Sequence, residues 1–145
     1  MKSIFNFNTP EAKNIVDTGI AMADAAGDVI LPYFRSKHLT VKNKTINGFD
    51  PVTEADKSAE KAMINVLKQM RPSDAVLGEE FGELKGKGLY RWVLDPIDET
   101  RGFISGTPTW GTLISVEKLK DMILIKNKGN FELNLDYFKD RKSVV

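Results

Sequence analysis

Five carboxylates crowd into two short segments, Glu79 and Glu80 in "GEE" and Asp95, Asp98 and Glu99 in "DPIDET". Both segments follow apolar runs, "AVL" and "WVL", that read as buried strands. Acids beside a buried strand cost free energy unless something positive meets them. A hard divalent cation, which takes oxygen ligands, is such a partner. In "WVLDPID" the strand carries Asp95 to its end. Pro96 has no N–H for the ladder and biases Asp95 toward an extended backbone, so the chain is expected to leave the sheet there. Asp98 can turn its carboxylate to the same point. The Ile97 carbonyl lies between them as a further oxygen, and Glu79, ending a neighbouring strand, could complete the shell. An ordinary turn remains the alternative, since acids flanking a proline at a strand end are common there. The convergence of two acidic strand ends is what favours the cation.

Thr100 follows the cluster at once. Its hydroxyl could bond a water held among the acids while a second carboxylate takes the proton, and Asp56 is a candidate for that carboxylate. Read locally, Asp56 is better explained as a helix-start acid facing the positive end of the dipole, and Thr100 as a turn hydroxyl. His38 has no partner motif and reads as a structural residue. Trp92 and Trp110 read as core or pocket-wall residues, and Lys42 to Lys44 as a solvated loop.

Composition narrows the chemistry. With no cysteine and one histidine in 145 residues, thiolate nucleophiles, disulfides, iron–sulfur clusters and zinc sites built on cysteine or several imidazoles are excluded. A metal held mainly by oxygen means magnesium, calcium or manganese. The formal net charge of +1 gives no general pull toward nucleic acid or anionic membrane. The first residues, "MKSIFNFNTPEAK", lack the apolar core of a signal peptide, and no run is long enough to span a bilayer. The expectation is a cytoplasmic protein with no nucleic-acid and no membrane partner.

The elements that must position these residues follow from periodicity. A helix is expected from Thr9, a capping residue before Pro10 and Glu11, with Ile15, Ile20, Ala23, Ala26, Ile30 and Phe34 on one face and a kink at Pro32. Leu39 to Lys42 reads as a short strand and "NKTINGFDP" as a loop. A second helix is expected at "TEAD", with Thr53 as N-cap, Asp56 three residues on, and a stripe of Ala59, Met63, Val66, Leu67 and Met70. Then come strands at "AVLGEE" and "LYRWVLDPI", joined by the loop "FGELKGKG", and two more at "TLISVEK" and "MILIKNKG". This order predicts an α+β protein with helices layered on a mainly antiparallel sheet.

Taken in order, "DPVTEAD", "GEE", "WVLDPID.T" and "GTPTWGTLISV" resemble the inositol monophosphatase-like family of metal-dependent phosphatases, and "TRGFISGTPTWGTLI" looks most like its histidinol-phosphate phosphatase branch. The resemblance implies the N-terminal half of an αβαβα fold over residues 1–116, followed by a divergent tail over residues 117–145. It implies one magnesium ion on Glu79, Asp95 and the Ile97 carbonyl, and a second on Asp95 and Asp98. It implies that Asp56 and Thr100, with Glu79, serve catalysis through an activated water, and that the backbone amides of Glu99 and Thr100 contact phosphate. The implied substrate is a small phosphorylated metabolite, histidinol phosphate or inositol monophosphate.

Two departures qualify this. The family motif has glycine where this chain has Glu99, which adds a β-carbon and a negative charge beside the implied phosphate site. Second, no "WD.AAG"-type motif, which carries a further metal ligand in the family, occurs in the sequence. The family uses two or three magnesium ions, and fewer are expected here. The alternative to an active phosphatase is a catalytically inactive, truncated remnant that binds at most a metal or a partner. A homodimer or self-association through an uncovered sheet is expected in either case.

Overall fold

A computed structural model describes residues 8–37 and 51–119. The expected strand at Leu39 to Lys42, the following loop, His38, the lysines Lys42 to Lys44, the expected strand "MILIKNKG" and nearly all of the tail lie outside the described residues. Among the described residues seven elements follow in chain order: helix α1 (Pro10–Ile30), helix α2 (Pro51–Met70), strands β1 (Ala75–Gly78), β2 (Gly82–Leu84) and β3 (Tyr90–Asp98), short helix α3 (Thr100–Ser105) and strand β4 (Gly111–Lys118).

Helix α1 starts as its sequence directs. The Thr9 hydroxyl accepts from the Ala12 N–H at 3.1 Å, and Pro10 occupies the first turn. It ends at Ile30, not Phe34, because Pro32 cannot continue it; Tyr33 and Phe34 belong to the turns beyond. The buried stripe is Ala12, Ile15, Thr18, Met22, Ala26 and Ile30, so the expected stripe is corrected at two positions: Ile20 and Ala23 face outward. Thr18 is tolerated in the core because its hydroxyl donates to the Asn14 carbonyl at 2.7 Å.

Helix α2 begins at Pro51, two residues before the expected cap, so Thr53 lies inside it and is not its N-cap. Ala59, Met63 and Leu67 form the buried stripe as read, whereas Met70 is exposed. One face of the sheet receives both helices, and the core between them gathers Met22, Met63, Trp92, Leu94, Ile97 and Phe103. Beside it Phe34, Phe103 and Trp110 form an aromatic trio with ring centroids 4.9 to 5.5 Å apart.

The C-terminal end of α2 is tied to the other layers by Arg71. It pairs with Glu11 at 2.9 Å, with Asn14 and with Asp74, and its guanidinium lies over the Tyr90 ring. Asp74 also accepts from the Trp92 indole N–H at 3.0 Å. One arginine thus joins α1, α2 and the start of the sheet.

Among the described residues the sheet has four strands in the order β2-β1-β3-β4. It is mixed, not mainly antiparallel: β1 pairs with β2 and β3 with β4 in antiparallel fashion, but β1 and β3 run parallel at the centre. The expected loop "FGELKGKG" therefore contains a strand, β2. After β2 the chain must pass β1 to reach its far side, and it does so across the start of β1 through residues 85–89. The crossing is close: the Gly88 N–H donates to the Ser73 carbonyl at 2.6 Å, and a β-carbon on Gly86 would stand 2.5 Å from the Ala75 nitrogen. "KGKG" is the sequence of a chain that has to graze another backbone. Among the described residues, no helix is long and apolar enough to cross a membrane.

Candidate functional site

Parallel pairing of β1 and β3 is what assembles the acids. Gly78 stands opposite Leu94, so the next residues, Glu79 and Asp95, emerge side by side at the same end of the sheet. In an antiparallel pair those two ends would lie at opposite edges. Glu79 sits in the turn between β1 and β2, exposed, with its carboxyl in hydrogen-bonding reach of Asp95.

Strand β3 does not stop at Pro96. It runs on to Asp98, which pairs opposite Gly111, and the register slips between Asp95 and Asp98. Pro96 thus makes a bulge in place of the expected exit from the sheet. The Thr112 hydroxyl holds the bulge by donating to the Pro96 carbonyl at 2.8 Å. The slip lets Asp95 and Asp98 act on one locality although two residues separate them. Asp98 is half-buried, and its charge bears on Asp95.

Asp56 reaches the same locality from α2. Its expected local role as a helix-start acid gives way to a different one: it is buried in the second turn, and its neighbours are acids. Burial, followed by the charges of Glu80, Glu79, Asp95 and Glu60, pushes its carboxyl up to about 7. Asp95 is likewise pushed up to about 7, first by burial, then by the Glu79 hydrogen bond and the charges of Glu79 and Asp98. The Ile97 N–H, donating to it, partly offsets this.

Among the described residues, two buried carboxylate oxygens, Asp56 Oδ1 and Asp95 Oδ1, have no hydrogen-bond partner. Buried acceptors without donors are uncommon, and mutually repelling carboxylates that each leave one oxygen without a donor suit a proton or a cation. Among the described residues no three His, Cys, Asp or Glu side chains form a ready-made ligand group. The contact between these side chains is the pair Glu79 and Asp95. A cation there would draw its remaining ligands from carbonyl oxygens and solvent, as magnesium commonly does. The donor chemistry fits such an ion. The Ile97 carbonyl accepts from the Thr100 hydroxyl at 3.3 Å and keeps a second lone pair.

Glu99 stands between β3 and α3 at φ 60° and ψ 56°, in the left-handed region, where the side chain brings steric cost. It is exposed and makes no side-chain capping bond. The short helix α3 begins immediately after it, so the Thr100 amide and its successors open toward the same end of β3.

One residue of the site was not read from the sequence. Glu60 is fully buried and accepts from the Glu80 and Phe81 backbone N–H groups at 2.8 and 2.9 Å. The available signal was its spacing: it lies four residues after Asp56 and beside Ala59, and so on the face of α2 that carries both.

Comparison with known proteins agrees with this geometry. The inositol monophosphatase family model matches residues 11–124. The chain is 45% identical over 108 residues to the bifunctional phosphatase IMPL2, chloroplastic, of Arabidopsis thaliana, covering 73% of this chain and 30% of that protein. It is 43% identical over 100 residues to the histidinol-phosphatase of Streptomyces coelicolor, covering 69% and 36%. Among solved structures, an inositol monophosphatase from Zymomonas mobilis superposes with a TM-score of 0.61 at 39% identity, covering 77% of this chain and 41% of that one. The chain therefore spans about a third of the length of the curated relatives it matches. With the family model covering most of the sequence, and the acids gathered at the end of the parallel strand pair, this chain belongs to the inositol monophosphatase family.

Proposed function

We propose that this chain carries the metal- and phosphate-handling part of a phosphatase for a small phosphate monoester, of the histidinol phosphate or inositol monophosphate class. The observation that carries the reading is the pair of buried, partnerless oxygens on Asp56 and Asp95, set among Glu79, Glu80 and Asp98. Relatives named for phosphatase activity support the reaction class.

In this reading Glu79, Asp95 and the Ile97 carbonyl hold one magnesium ion, and Asp95 with Asp98 holds a second. When bound, magnesium supplies positive charge against the phosphate oxygens and the leaving alkoxide, and makes a nearby water more acidic. Asp56, brought to the same locality by α2, takes the proton that the attacking water gives up, with the Thr100 hydroxyl orienting that water. The amides of Glu99 and Thr100 orient the phosphate. Cysteine is absent, which excludes a thiol nucleophile and is consistent with the attacking water of this reading.

One observation favours a second reading, in which metal is bound without turnover. Glu99, at left-handed backbone angles, adds a carboxylate and a β-carbon beside the amides that this reading assigns to phosphate. The test is release of inorganic phosphate from histidinol phosphate and from inositol monophosphate, with and without magnesium, against Asp95→Asn. Magnesium-dependent release lost in the variant supports the phosphatase. Equal release from both proteins removes it.

A further inference from the structure

We propose that Glu60 is a positioning residue that fixes the Glu79–Glu80 turn for cation binding, and that Gly78 is glycine in order to admit it. This rests on the metal reading above. Four observations carry it. Glu60 has no exposed surface, although a lone buried carboxylate is costly to keep. Its two oxygens are both engaged, Oε2 by the Glu80 N–H at 2.8 Å and Oε1 by the Phe81 N–H at 2.9 Å. Those donors belong to the turn that carries Glu79. A β-carbon on Gly78 would stand 1.7 Å from Glu60 Oε1 and 2.3 Å from its carboxyl carbon, so the carboxylate occupies the space that any other residue at 78 would fill.

A carboxylate accepting two consecutive amides is a rigid clamp, because each bond is charge-assisted and the pair fixes both distance and direction. The Gly78–Gly82 pairing closes the hairpin from one side, and Glu60 holds its tip from the other. Helix α2 thereby fixes the turn from the same face that delivers Asp56, four residues earlier. Without this clamp the tip would be a short exposed turn, and Glu79 would have to be ordered by the cation itself. Groups that orient a ligand in this way typically contribute ten- to a hundred-fold in metal affinity.

The experiment measures manganese binding to the full chain, by paramagnetic resonance of the free ion, for the wild type, Glu60→Gln and Gly78→Ala. Glutamine turns one acceptor into a donor facing an N–H. Alanine displaces the carboxylate without changing any charge. Both are expected to weaken manganese binding by about tenfold or more, and Gly78→Ala is expected to cost nothing further in a Glu60→Ala background. Hydrogen exchange provides a second readout that does not depend on the variants folding: the wild-type Glu80 and Phe81 amides should be protected despite their place in a turn. Wild-type affinity in both variants, full additivity with Glu60→Ala, or open-turn exchange of those two amides would overturn the proposal. A wild type that takes up no manganese would instead strike the metal reading, while the amide protection would still report on the clamp.

Discussion

Glu99 offers a test of backbone geometry in which the sign of the effect decides. At φ 60° and ψ 56°, the residue occupies a conformation that costs an ordinary L-residue about 1–2 kcal/mol and costs glycine almost nothing. Alanine keeps the β-carbon and discards the carboxylate, so the difference between Glu99→Gly and Glu99→Ala isolates the backbone term. Glycine gives back about 0.5–1 kcal/mol through the greater freedom of its unfolded chain. The net expectation is that Glu99→Gly is more stable than Glu99→Ala by about 0.5–1 kcal/mol. With a urea slope of about 2 kcal/mol per M, this moves the unfolding midpoint up by roughly 0.3–0.5 M. At a right-handed helical position the order would reverse by a similar amount. Urea titration of both variants decides the matter, and an alanine variant more stable than the glycine one would refute the left-handed assignment. Inorganic phosphate binding to the same proteins then separates strain from charge. If the carboxylate is what hinders phosphate, both variants bind it more tightly than the wild type.

Further perturbations follow from other parts of the molecule. Arg71→Ala should cost about 2–4 kcal/mol in chemical denaturation, because it leaves the nearly buried Asp74 without its cation; a loss below 0.5 kcal/mol, the range ordinary for a surface site, would contradict that role. Asp56 and Asp95 hold their protons more tightly folded, near 7, than unfolded, near 3.8, so their contribution to stability is complete below about pH 4 and is lost as pH rises through 7. Relative to Asp56→Asn, the metal-free wild type should therefore lose about 1–2 kcal/mol between pH 5 and pH 8, after allowance for solvent screening; parallel pH profiles would remove the claim. Magnesium should raise the melting temperature more at pH 8 than at pH 5, since its ligands must be deprotonated, and calorimetric scans at the two pH values compare the gains. Phe103→Ala should cost about 3–5 kcal/mol by emptying the centre of the aromatic trio, measured by the same denaturation.

Sequence periodicity carried the reading where each element obeyed its own pattern. The Thr9 cap, the stripe of Ala59, Met63 and Leu67, and the strands around Val76, Trp92 and Ile114 are local signals, and the structure keeps them. It failed where a distant partner decided. Ile20 looks like a core residue by type, but the phase of α1 against α2 turns it outward. Pro96 looks like the end of a strand, but pairing with β4 carries the ladder past it through a bulge. The strand inside "GELKGKG" is three residues long and lacks alternation, and only its hydrogen bonds to β1 make it a strand. The acidic residues were legible by type and motif. Their convergence was expected from two acidic strand ends, but the pairing that produces it was not, because β1 and β3 run parallel and nothing in either segment specifies direction. Glu60 escaped notice because an acid on a helix ordinarily faces water.

The passage from β2 to β3 over the start of β1 also acts as a gauge. Its five residues, 85–89, measure how far β3 advances before it locks beside Ala75. Side chains on a strand alternate between faces, so one residue added to or removed from that span would slide β3 by a single step and exchange its two sides. Trp92 would be turned out of the interior, and Asp95 would be drawn in among Met63 and Phe103. Length in this bend is accordingly less free than its lysines and glycines suggest: the alignment of the acids with one another is set some twenty ångströms away, by the number of residues in a loop that never touches them.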